Sequence, residues 1–94
     1  MNKTSLADID EAASNWVSGL TDEECWVYYY RSLDLPDGAA ATRIGKSRPT
    51  VVNIKQRVLE RAGTELLVDL DPVDHLDAVK LAQEHCARRL GEAL

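Results

Sequence analysis

Apolar residues recur at helical steps along most of this chain, and turn-forming residues punctuate them. Leu6, Ile9, Ala13, Trp16, Val17 and Leu20 fall at intervals of three and four, which predicts an amphipathic helix over 5–18, capped by Ser5 and ended by Gly19. Thr21-Asp22-Glu23-Glu24 has the form of a capping box, in which the Thr21 hydroxyl accepts from the Glu24 amide and the Glu24 carboxylate accepts from the Thr21 amide. A second helix is expected from there to about Leu33 through Cys25, Trp26, Tyr28, Tyr29 and Tyr30. Asp34-Leu35-Pro36-Asp37-Gly38 is turn chemistry, and Ala39 to Ile44 makes a short third helix. Ser47 caps a fourth over 48–62, with Pro49 in its first turn where a missing N–H is harmless and Gly63 as its stop. Residues 64–70 fit a short extended segment or a connecting turn equally well. Asp71-Pro72 opens a last helix with Val73, Leu76, Val79, Ala82, Cys86 and Leu90 on one side. The expected fold is all-α, with four to five short helices in a single domain over 1–94.

Within that pattern, residues 36–58 have the spacing of a helix-turn-helix. Ala41 lets two backbones approach, Gly45 supplies the positive φ of a tight interhelical turn, and Val51 and Ile54 face back into the core. At 100° per residue, Val51, Ile54, Val58 and Ala62 share the inward face of the fourth helix. Pro49, Asn53, Gln56 and Glu60 lie opposite, flanked by Thr50, Val52 and Arg57. The module with its preceding helices spans 5–62. The helix at 71–91 then either closes the monomer's core or pairs with a second subunit, through Leu76, Val79, Cys86 and Leu90.

Charge sharpens this reading. The chain carries a formal −5, yet 43–61 holds Arg43, Lys46, Arg48, Lys55, Arg57 and Arg61 against Glu60 alone, a net +5 that leaves −10 for the other 75 residues. Such a cluster either solvates a helix or lies along a phosphate backbone, and its coincidence with the helix-turn-helix frame favours the second. Arg48 is suited to a bidentate pair with guanine, and Asn53 or Gln56 to one with adenine. Lys46, Arg57 and Arg61 are expected to touch phosphates, Ser47 and Thr50 to add hydroxyl donors, and Arg43 to extend the same face. The acidic remainder fits either plain solubility or a basic protein partner. Trp26 and the tyrosines are expected to pack against the module; the other reading is a base-stacking platform.

The remaining composition removes other functions from consideration. A hydrophobic content of 45% and a charged content of 29% are ordinary for a folded domain. No apolar run approaches a membrane span and the first ten residues turn acidic, so a cytoplasmic protein is expected. Cys25 and Cys86 read as buried thiols with no disulfide between them. His75 and His85 lack metal spacing; Glu84, His85 and Cys86 diverge around a helix; Asp69, Asp71, Asp74 and Asp77 lack the glycine and closing Glu of a calcium loop. With no phosphate cradle and no nucleophile beside a base, no enzyme activity and no cofactor are expected.

L-T-D-E-E at 20–24, Tyr30-Arg31, and D-L-P-D-G-A-A-A-T-R-I-G-K-S-R-P-T-V at 34–51 together resemble region four of bacterial sigma factors. The resemblance covers about 16–62. Phage antitermination proteins of the Q type and other small phage regulators share the pattern, and Trp16 upstream of the module is similar to that group. The chain has Ala39-Ala40-Ala41 where the family usually has Glu-Ile-Ala, and Pro49 where a polar reading residue is common. The resemblance implies DNA contacts from Lys46, Ser47, Arg48, Thr50, Asn53, Gln56 and Arg57. A sequence-specific, double-stranded-DNA-binding transcription regulator is the leading expectation, with a dimer and a phage origin as further expectations, and a free-standing sigma factor is not expected. The alternatives are an inhibitor or adaptor that uses the same scaffold to bind RNA polymerase or another regulator, and the DNA-recognition subunit of a phage packaging motor.

Overall fold

A computed structural model describes residues 5–91. The fold is all-helical: α1 Leu6–Ser18, α2 Asp22–Ser32, α3 Asp37–Ile44, α4 Arg48–Arg61, a π-helical turn Ala62–Leu67, a 3-10 turn Pro72–Asp74 and α5 His75–Arg89. Local chemistry sets most of these boundaries. Ser5 Oγ accepts from the Asp8 amide at 3.2 Å, starting α1. The Thr21 capping box closes from both sides, at 3.1 Å for Glu24 N to Thr21 Oγ1 and 2.9 Å for Thr21 N to Glu24 Oε1. α3 begins two residues before the alanine run, because the Pro36 carbonyl already accepts from Ala40 N.

Gly63 does not stop α4. It keeps a negative φ, and the chain continues through the π-turn to Leu67, which settles the open segment as helix followed by a turn from Leu70 N to Leu67 O. Tertiary contacts override the local stop signal. Leu66 is buried one turn beyond Ala62, and Glu65 accepts from both Arg61 and the Trp16 indole. These interactions outweigh the roughly 1 kcal/mol that a helical glycine costs.

One core joins the helices. α5 packs across α1 and α2, α4 across α2 and α3, and the π-turn touches α1. Trp16 meets Tyr28 edge-on with ring centroids 5.4 Å apart. Burial pushes the Tyr28 hydroxyl up to about 12. Tyr28, Tyr29 and Tyr30 are all buried, which assigns them to packing and leaves no ring of theirs free for a nucleobase.

The buried face of α5 is Ala78, Ala82, Cys86 and Ala87, and these small residues let α5 lie close over α1 and α2. Val73 and Leu76, expected on that face, are 79% and 64% exposed, because they precede the stretch that crosses the core. Cys86 is fully enclosed within one chain and therefore drops out of any subunit contact, while Val79 and Leu90 are half-buried against the core. α5 thus covers the core within the single chain, with Leu76 left exposed on its outer side. Arg89, at its end, donates to the carbonyls of Val17 and Leu20 at 2.8 Å each and to Asp22 at 3.0 Å, capping the exit of α1.

Cys25 and Cys86 are both buried and free. The Cys86 thiol donates to the Cys25 sulfur and, against the opposing effect of burial, holds the Cys25 thiol below its usual range, helped by the Arg89 charge. Cys86 is pushed up by the same bond and by burial.

Candidate nucleic-acid interface

The interhelical turn is built from backbone bonds. Gly45 sits at φ 69° and ψ 32°, Lys46 N donates to Ala41 O at 3.0 Å and Gly45 N to Thr42 O at 3.4 Å, a Schellman closure of α3. Space beside the Gly45 Cα is open, so its requirement is purely conformational. Gly45→Ala should therefore cost about 1 kcal/mol from the left-handed backbone alone, read as a lower urea midpoint at unchanged m.

Ala40, Ala41, Val51 and Ile54 are buried where α3 and α4 meet, and Lys55 Nζ fastens the two helices with bonds of 3.0 and 2.9 Å to the Asp37 carboxylate. The angle between the helices is thus held by packing on one side and by an ion pair on the other.

At the head of α4, Ser47 Oγ accepts from Thr50 N at 3.3 Å and lies 2.8 Å from Thr50 Oγ1. Both hydroxyls serve the cap. Pro49 has no amide hydrogen and that of Thr50 is used, so Arg48 supplies the one remaining amide donor in the first three positions. Anion binding at this helix end thus rests on side chains far more than on free amides.

Every expected reading residue lies on the surface. Arg48, Asn53 and Gln56 are exposed and make no side-chain hydrogen bond or ion pair among the described residues. On a helical projection Pro49, Asn53 and Gln56 centre the outward stripe, with Arg48 and Arg57 each about 90° to either side. Glu60 sits on the same stripe one turn on and is exposed. Its carboxylate would repel an anionic ligand from all but the first two turns. If α4 lies along a duplex as expected, Glu60→Gln should raise affinity for that duplex several-fold and steepen the salt dependence, measured by fluorescence anisotropy at two or more salt concentrations.

The basic stripe is less available than formal charge implies. Lys55 is committed to Asp37. Arg61 Nη1 donates to Glu24 at 2.9 Å, its Nε to Glu65 at 3.1 Å and its Nη2 to Gly19 O at 3.5 Å, so Arg61 is committed to a structural clamp. Arg57 is 56% exposed and reaches Glu24 through a single 3.4 Å contact. Lys46 pairs with Glu23 at 3.3 Å, both half in water, a pair worth little and easily exchanged for a phosphate. Arg43 lies 5.8 Å from the centroid of the Tyr30 ring. Arg43, Lys46, Arg48 and Arg57 therefore remain as the cations around the stripe that are open to an anion.

Glu24 organises this arrangement from below, and its second role escaped the sequence. Besides closing the capping box it is 1% exposed and takes both Arg57 and Arg61, bolting the start of α2 to α4. Burial alone would raise its pKa. The Thr21 amide, the Arg61 hydrogen bond and charge, and the Thr21 hydroxyl outweigh that and hold the carboxyl below its ordinary range. Glu65 is lowered chiefly by its bond from Arg61. The available signal was two arginines four residues apart on one edge of α4.

Among the described residues no helix is long and apolar enough to cross a membrane, and no group of three or more His, Cys, Asp or Glu is placed to hold a metal ion. No family model, no curated protein and no solved structure matches this chain.

Proposed function

We propose that the chain is a sequence-specific DNA-binding regulator of transcription that inserts the first two turns of α4 into a major groove. The observation that carries this reading is the uncovered outward stripe of α4, where Arg48, Asn53 and Gln56 are exposed and unpartnered beside a turn fixed by Gly45. Side chains held this way on a rigid helix have the reach and donor–acceptor patterns that base edges require. The likeness of residues 16–62 to sigma region four supports the same docking.

Roles divide by chemistry. Arg48, Asn53 and Gln56 address base edges, and Thr50 and Val52 offer methyl groups along the flank. Arg43, Lys46 and Arg57 address phosphates. Three phosphate partners imply a log–log salt slope of about −2.7, a shallow dependence. The test is selection of duplexes from a randomised pool, followed by anisotropy titration of the enriched sequence and a scrambled control. Saturable binding that prefers the enriched duplex supports the proposal; the absence of binding to any duplex at low salt overturns it.

A further inference from the structure

Beyond the π-turn, three large apolar side chains close in sequence are exposed: Val68 at 64%, Val73 at 79% and Leu76 at 64%. Val73 and Leu76 are three residues apart at the 3-10 to α5 junction, and so share a face. His75 Nε2 lies 3.2 Å from Leu70 O and ties that junction to the turn after the π-helix. Between Arg61 and Lys80 the chain has Glu65, Asp69, Asp71, Asp74 and Asp77 and no Lys or Arg. Glu65 is engaged by Arg61 and Asp71 caps Val73, whereas Asp69, Asp74 and Asp77 have no cationic partner among the described residues. Exposed apolar side chains at this corner thus alternate in sequence with aspartates that no described Lys or Arg pairs, Asp74 and Asp77 lying at the start of α5.

We infer that this corner docks a basic segment of a partner protein, a cationic amphipathic helix whose apolar stripe covers Val68, Val73 and Leu76 while its Lys and Arg face the aspartates. Charge selects this occupant. The aspartates repel nucleic acid and anionic lipid headgroups. A twofold dimer through the corner would set the aspartates against their own copies, since such an interface pairs each surface with its own copy. A cationic segment meets both the apolar side chains and the aspartates, the pattern of a helix laid against a hydrophobic surface. The corner shares no residue with the outward stripe of α4, so this inference is independent of the DNA proposal.

The probe is a labelled synthetic helix of Leu and Lys at amphipathic spacing, titrated by anisotropy against the whole chain. Its comparisons are a peptide with Ser replacing every Leu and one with Glu replacing every Lys. The Leu/Lys peptide should bind, and both comparison peptides should bind at least tenfold more weakly. V73S/L76S should weaken binding at least tenfold with an unchanged circular dichroism spectrum, because both side chains are largely in water. D69N/D74N/D77N should weaken it and flatten its salt dependence. Equal binding of the Ser peptide, or unchanged affinity in V73S/L76S, would overturn the inference. So would a concentration-dependent dimer in sedimentation that V73S/L76S abolishes, since a second copy would then be the occupant.

Discussion

Glu24→Ala is expected to cost about 3 kcal/mol, the low end for removing one partner from a buried ion pair, because it also frees the Thr21 amide and leaves two arginines without their carboxylate. In a domain of this size that is a large share of the whole stability and lowers the melting midpoint by about 15 °C. Urea melts followed by circular dichroism would read it, and a loss under 1 kcal/mol would show that Glu24 is not the junction described above. Glu24→Gln keeps the shape and an acceptor for Thr21 but removes the charge, so it should fall between the two. It should also change the acid response. A carboxyl whose folded-state pKa lies below its unfolded value stabilises the fold at pH above the unfolded value, near 4.5, and loses that contribution as pH falls through the folded one. The wild-type chain should therefore lose stability on acidification below about pH 4.5, and Glu24→Gln should lose less over the same range.

Arg48→Ala with Asn53→Ala should reduce affinity for the selected duplex by about 3 kcal/mol, near a hundredfold, since each bidentate base contact discriminates by about 1–3 kcal/mol. Stability should stay within about 0.5 kcal/mol, because neither side chain has a partner to lose. Lys46→Ala should instead weaken all duplexes alike and reduce the salt slope by about 1. Arg61→Ala separates the two classes of arginine. It should destabilise the fold through Glu24 and Glu65. A double variant that keeps full preference for the selected duplex would remove the proposed reading of base edges by α4.

The features legible in the sequence were those decided within a few residues. The Thr21–Glu24 box, the Ser5 and Ser47 caps, the left-handed Gly45 and the Val51, Ile54, Val58 and Ala62 face all follow from local bonding and helical period. What escaped depends on how helices cross. Gly63 reads as a stop until Leu66 and Glu65 find their places in the core and beside Trp16. The inner face of α5 is carried by alanines, whose signal is weaker than that of Val73 and Leu76, so the larger residues misdirected the projection. The basic segment was overestimated for the same reason: counting charge cannot reveal that Glu23, Glu24, Asp37 and Glu65 stand opposite Lys46, Arg57, Lys55 and Arg61.

The packing of α5 on α1 has a consequence for how the molecule is made. His85 meets Asp10, and Arg89 meets Val17 and Leu20, across separations of about seventy residues. During synthesis the first helix must wait for the last before its apolar side is fully covered, whereas the contacts between α3 and α4 are local in sequence. Pausing of the ribosome before residue 89 would leave Ile9, Ala13 and Val17 in water, making the nascent chain a client for chaperones that bind greasy stretches.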